Sequence, residues 1–225
     1  MELYEAMRTL GSIREFQDRP VAPDLIAHIL ENARFAGSGG NRQGWHVIVV
    51  ESPETRAEIT RISTLGFREY MAQTMAGAVP FAPADDGRWH GAIVDLDAAR
   101  AVDGPSGLAA SIDHAPALLV VVVDLRALAI TDIDADHVSI IGGASIYPFV
   151  HNILLAARSE GLAGVLTTFA CRAETEICTL LRLPMSHAVA AVIPLGYPVH
   201  QPTKLKRKAV NEIATVDHFD GPSFG

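Results

Sequence analysis

The chain has 225 residues, a formal net charge of −8 and an apolar fraction of 49%, with a mean hydropathy of +0.22. That composition excludes a disordered chain, and the acidic balance excludes nucleic acid, whose phosphates demand a positive surface. No apolar run approaches the roughly 18 residues that a bilayer crossing needs. The two cysteines, Cys171 and Cys178, have neither CxxC nor zinc-site spacing, and the opening MELYEAMRTL lacks the basic-then-apolar order of a signal peptide, so a reducing, cytoplasmic location is expected.

In chain order, Leu3, Met7 and Leu10 recur at helical spacing. A helix is predicted from Pro23 to about Phe35: proline suits a first turn, and Leu25, Ile26, Ile29, Leu30 and Ala33 form one apolar face. Gly37, Gly39 and Gly40 end it, and WHVIVVE at 45–51 reads as a strand. The stretch 65–114 holds Pro80, Pro83 and Pro105 with scattered glycines. It reads as a long irregular segment with short helical pieces, of the kind that covers a site or meets a partner. PALLVVVVD at 116–124 is a strand buried on both faces. A helix over 145–160 has almost no polar face and belongs in the middle of the molecule or at a subunit interface; Gly161 suits its C-terminal stop. A further helix runs from about Ala173 to Leu183, stopped by Pro184, and AVAAVIP at 188–194 is another buried strand. Few strands separated by helices imply an α+β or three-layer mixed domain, a single one spanning 1–225, with a polar, extended tail over 198–225.

Four segments carry chemistry. Ser12-Ile13-Arg14-Glu15-Phe16, with Arg8 upstream, offers a hydroxyl and two guanidiniums on the first turns of a helix and loop, a possible phosphate clamp or simple surface charge. In Ala36-Gly37-Ser38-Gly39-Gly40-Asn41-Arg42-Gln43-Gly44-Trp45 the glycines let backbone N–H groups approach a ligand, Asn41 and Gln43 add polar side chains, and Trp45 is an aromatic anchor. In Gly161-Leu162-Ala163-Gly164-Val165-Leu166-Thr167-Thr168-Phe169 a glycine-rich turn precedes two threonines that can present backbone donors to a cofactor ring. The fourth, Leu195-Gly196-Tyr197-Pro198, precedes a basic cluster holding all three lysines of the chain, Lys204, Lys206 and Lys208, with Arg207 among them. That cluster is either a solvated loop or a seat for one small anion. The histidines are scattered without metal-site spacing. Asp132, Asp134 and Asp136 lack the glycine and distal glutamate of a calcium loop and read as solvated charge. No GxGxxG, P-loop or GxSxG motif is present.

Taken together, SIREF at 12–16, SGGNRQGW at 38–45, ASIYPFVHNILLAARSEGL at 144–162, LTT at 166–168 and PLGYP at 194–198 ahead of KLKRKAVNEI resemble the nitroreductase family over nearly the whole chain. The resemblance implies an α+β three-layer sandwich with a mixed, mostly antiparallel sheet and a tail exchanged with a dimer partner. It implies an FMN-dependent homodimer in which Ser12 and Arg14, with Lys206 and Arg207 from the tail, hold the flavin phosphate. Arg8 would support them, because the family's usual arginine pair is replaced here by Leu10 and Gly11. Ser38, Gly39, Asn41 and Gln43 would reach the neighbouring subunit's flavin, and Leu166, Thr167 and Thr168 would face its ring near N5. NADH or NADPH would be the donor, with nitroaromatics, quinones or related small acceptors as oxidants and no catalytic side chain required. Two alternatives remain open at the level of sequence: a non-catalytic flavin-binding or storage protein, and a flavin-fragmenting or dehalogenating relative.

Overall fold

The computed structural model describes residues 1–102 and 107–225; Pro105 of the irregular stretch lies outside them. At its centre is β2 (Ala117–Asp124), whose uninterrupted apolar run is buried on both faces. It pairs antiparallel with β1 (Trp45–Val49), placing Trp45 opposite Val123, and with β4 (His187–Gly196), placing Ala117 opposite Leu195, with a bulge between Val121 and Val122. A two-residue strand, β3 (Ala163–Gly164), adds antiparallel to β4, giving the order β1-β2-β4-β3. Parallel character enters through the bridge of Ser12 to Gly164.

Because successive strand residues point to opposite faces, β2 feeds two cores at once. Leu119, Val121 and Val123 join one core; Leu118, Val120 and Val122 join the other. The first is closed by α2 (Pro23–Ala33), which brings Ile26, Ile29 and Ala33, and by α6 (Tyr147–Ser159), which brings Phe149, Val150, Ile153 and Ala157. Gly161, at φ +80°, stops α6; Leu162 N–H donates to Ala157 O and Gly161 N–H to Arg158 O, the two bonds that satisfy the last carbonyls of a helix turning off through a left-handed residue. The short α1 (Leu3–Thr9) packs on α6, with the buried Arg158 donating to Thr9 Oγ1 at 3.1 Å.

On the opposite face lie α3 (Pro53–Met75), α4 (Leu96–Ala101), α5 (Gly107–Asp113) and α7 (Glu174–Leu180), with Ile59, Ile62, Leu108, Ile112 and Ile177 in the second core. Helices therefore cover both faces of the sheet. No described helix is long and apolar enough to cross a membrane.

The structure corrects three expectations. The stretch from residue 65 is not irregular at its start: α3 continues through it to Met75, while beyond it 76–95 forms no helix or strand and the short α4 and α5 are the helical pieces expected there. Its polar inward face hid this helix, for Ser63, Glu69 and Gln73 are buried there. Residues 12–16 are not helical. Ile13 N–H donates to Gly164 O, and Val199 N–H to Glu15 O, so this segment is extended, held between the sheet edge and the start of the tail. Asp132 is not merely solvated: its carboxylate accepts from Ser139 Oγ and from the backbone N–H groups of Ile140 and Ile141.

Candidate functional site

Residues from three of the four segments converge near the edge strand β3. Arg14 lines a cavity of about 400 Å³ together with Leu166, Thr167, Thr168, Phe67 and Tyr70. Thr167 is bound into the sheet through both backbone groups, exchanging hydrogen bonds with Val192 at 3.0 and 2.8 Å. Its backbone N–H is thus engaged, but its buried Oγ1 has no hydrogen-bond partner among the described residues. A buried hydroxyl without a partner is costly, by about 1–3 kcal/mol, and in a cavity wall it is an invitation to a polar ligand. Thr168 is exposed, and its backbone N–H donates to no described group. Arg14 is also exposed and has neither an ion pair nor a hydrogen bond among the described residues. The residues that carry one cation, one buried orphan hydroxyl and one free backbone donor therefore line one pocket.

The tail reaches the same corner. Gln201 Nε2 donates to Thr9 O at 2.7 Å, and a Cβ on Gly11 would stand 2.9 Å from Pro202 Cγ. Glycine at 11 is thus explained by close passage of the tail. Leu205 also lies against Gly11, so Lys206 and Arg207 follow immediately on a segment anchored beside Ser12. Both are exposed, Arg207 donating to Lys206 O. Arg8 is exposed in the last turn of α1.

The glycine-rich loop stands apart. Ser38 Oγ accepts from Gln43 N–H at 3.0 Å, Gln43 Nε2 donates to Asn41 O, and Gly39 N–H donates to Ser145 Oγ at 3.0 Å. Gly40, Asn41 and Gln43 all adopt positive φ, a conformation uncommon outside glycine and asparagine that concentrates at functional sites. Ser38 and Gly39 line a separate depression of about 430 Å³ with Ser145 and Pro148. Gly44 is required by contact: a Cβ there would meet Ala127 Cβ at 2.4 Å. Trp45 stacks on Phe149 at 4.8 Å and so anchors the loop to the core.

A second, larger cavity of about 640 Å³ shares Tyr70, Thr168 and Phe169 with the first. Phe81, Trp89 and Arg172 complete its character. Phe81 sits at φ +54° and its N–H is held by the buried Gln73 Oε1 at 3.2 Å. For a bulky aromatic that backbone costs about 1–3 kcal/mol. Sequence reasoning missed this pocket, although the run of prolines and aromatics at 80–89 was its signal. Cys171 lies on its wall but offers no nucleophile: burial pushes its thiol up to about 12, and its Sγ faces Val189 O. No group of histidines, cysteines and carboxylates able to hold a metal exists among the described residues.

Comparison with known proteins agrees with this architecture. The model of the Nitroreductase family matches residues 10–197. A Methanothermobacter thermautotrophicus protein provisionally named as an NADH dehydrogenase/NAD(P)H nitroreductase is 28% identical over 204 residues, covering 90% of this chain and 80% of its own. Iodotyrosine deiodinase 1 of Rattus norvegicus is 24% identical over 218 residues, covering 94% of this chain and 68% of its own. Among solved structures, the NADPH:FMN oxidoreductase of Vibrio harveyi complexed with NAD+ has a TM-score of 0.65 at 20% identity, over 96% of this chain and 77% of that one. An iodotyrosine deiodinase bound to FMN and 3-iodo-L-tyrosine has a TM-score of 0.68 at 21% identity, over 97% and 100%. At these identities the structures establish likeness of fold.

Proposed function

The chain belongs to the nitroreductase family, and from that premise we propose that it is an FMN-dependent oxidoreductase that takes hydride from NADH or NADPH and delivers electrons to a nitroaromatic, quinone or related small acceptor. The observation that carries this reading is the cavity lined by Arg14, by Thr167 with its buried, unpartnered hydroxyl, and by Thr168 with its free N–H. The donor set fits FMN: a terminal dianionic phosphate suits Arg14, Ser12 and the tail cations Lys206 and Arg207, with Arg8 in support, while a polar heteroaromatic ring suits the orphan hydroxyl and the free amide beside Leu166. When bound, FMN supplies the hydride-accepting centre. The chain's own residues hold the phosphate, present a donor from Thr168, and exclude water with Phe67, Tyr70 and Phe169. No side chain is assigned a catalytic role.

Homodimerisation is part of the proposal. The single chain exposes 13,428 Å², against roughly 10,000 Å² for a compact monomer of its mass. Leu3, Tyr4 and Met7 on α1 and Phe219 and Phe224 in the tail stand in solvent. The separation of the Ser38–Gln43 loop from the Arg14 cavity supports a site completed by two copies, in which Ser38, Gly39, Asn41 and Gln43 serve the partner's flavin and residues 198–225 wrap the partner. Two cores on one sheet, fed from both ends of the chain, support a single domain over 1–225 with a variable covering segment at 65–114. Two free thiols support a cytoplasmic location.

A second reading, reductive dehalogenation of a halogenated aromatic, is favoured by the iodotyrosine deiodinase similarity over 94% of the chain. One experiment separates the readings. The purified protein is expected to show the flavin visible band, or to bind FMN in preference to FAD. Anaerobic bleaching by NADH or NADPH, followed by reoxidation with a nitroaromatic or quinone but not with 3-iodo-L-tyrosine, supports the first. Reoxidation with release of iodide supports the second. A colourless protein that binds no FMN at micromolar concentration overturns both.

A further inference from the structure

The cavity of about 640 Å³ beside Thr168 is built around one charge. Its lining residues Tyr70, Phe81, Trp89 and Phe169 are aromatic, and Arg172 is the charged residue among those described that line it. The Arg172 guanidinium is fixed from behind: Nε donates at 2.6 Å to Oε2 of Glu69, a carboxylate with no solvent exposure. Glu69 Oε1 takes a second bond from Arg100 Nε at 2.5 Å. One buried carboxylate is thus shared between two guanidiniums, which leaves the cluster with a net positive charge in a chain whose total is −8. Arg172 also lies over the Phe81 ring at 4.9 Å, so its plane is set on two sides. Its terminal nitrogens have no partner among the described residues. An arginine with Nε engaged still offers its two outer N–H groups as a fork that matches a carboxylate.

We infer that Arg172, positioned by Glu69, selects acceptors that carry an anionic carboxylate on an aromatic ring. The ring would lie among Phe81, Trp89 and Phe169, with the carboxylate on the Arg172 fork. The reducible group then points toward Thr168, which this cavity shares with the Arg14 cavity. The size is right for such a molecule, since small-ligand pockets run from about 300 to 1,000 Å³. The inference rests on the oxidoreductase reading for the purpose of the site, but the recognition it describes is measured by binding.

The test is calorimetric titration of the flavin-loaded protein with 4-nitrobenzoate and, in parallel, with 4-nitrobenzyl alcohol, which has nearly the same shape without the charge. The parent is expected to bind the carboxylate about tenfold or more tightly than the alcohol, and added salt should narrow that gap. Arg172→Gln should remove the preference by weakening carboxylate binding about tenfold while leaving the alcohol within twofold. Arg172→Lys, which keeps the charge and loses the fork, should retain part of it. If the parent binds both ligands alike, or Arg172→Gln weakens both equally, the inference is overturned. If Arg172→Gln does not fold, the salt dependence of the parent and the Arg172→Lys pair decide. Flavin content, read separately from the visible band, tests the oxidoreductase reading: a flavin-free protein that still prefers the carboxylate sinks that reading and not this one.

Discussion

Truncation of Arg14 is the most direct probe of the proposed cofactor seat. Arg14 makes no ion pair and no hydrogen bond among the described residues, so Arg14→Ala should change the stability of the free protein by no more than about 0.5 kcal/mol. What it removes is a charge-assisted bond to a phosphate, generally about 1.5–3 kcal/mol. Because the side chain stands at an exposed rim, water screens it and the lower end applies. That is about 1.5 kcal/mol, or roughly a tenfold rise in the FMN dissociation constant. The assay is fluorescence titration of FMN into apoprotein, with riboflavin as the control that lacks the phosphate. Riboflavin affinity should hold within twofold, and raising the salt should shrink the difference between parent and variant for FMN alone. If FMN affinity also stays within twofold, or riboflavin weakens as much as FMN, the phosphate does not sit at Arg14 and the assignment fails.

Arg207→Ala should weaken FMN by a similar roughly tenfold factor in the same titration, since the tail is anchored beside Gly11; an unchanged value would place the tail cations outside the site. Gly44→Ala drives a methyl to 2.4 Å from Ala127 Cβ and should cost about 1–3 kcal/mol, seen as a melting midpoint several degrees lower. Phe149→Ala removes a buried ring stacked on Trp45 and should cost about 3–5 kcal/mol by denaturant titration. Burial raises the Cys171 thiol from 9.0 to about 12, so the fold favours its neutral form. That contribution is complete below pH 9, declines as pH rises toward 12, and should be absent from a Cys171→Ala variant when stability is followed against pH; alkylation of native Cys171 at pH 8 should be far slower than in denatured protein. Light scattering at low micromolar concentration should give twice the chain mass; a monomeric mass would refute the shared site.

Periodicity made part of this molecule legible in the sequence. The run 117–123 could only be a doubly buried strand, and the apolar faces of α2 and α6 announced helices against it, because burial of a continuous face is a local property that repeats at a fixed spacing. The order of SIREF, SGGNRQGW and LTT also placed Arg14 and Thr167 on one list of cofactor contacts. What local pattern cannot carry is pairing between distant segments. Residues 12–16 were expected in a helical turn; they are extended because Gly164 and Tyr197–Val199 supply their hydrogen bonds across some 150 to 180 residues of chain. Helix α3 was hidden because it buries Ser63, Glu69 and Gln73 beside its isoleucines, a tolerable arrangement for Glu69 only because Arg100 and Arg172, 31 and 103 residues away, neutralise it. Gly11, Gly44 and Gly66 each stand where another segment, the tail, Ala127 or the Phe169 backbone, comes too near for a Cβ, a contact that no local pattern announces. Periodicity determined the layers and the order of five motifs carried the family resemblance, while the charge in the aromatic pocket was decided only by tertiary structure, because an ion pair's worth depends on burial and on partners that only folding brings together.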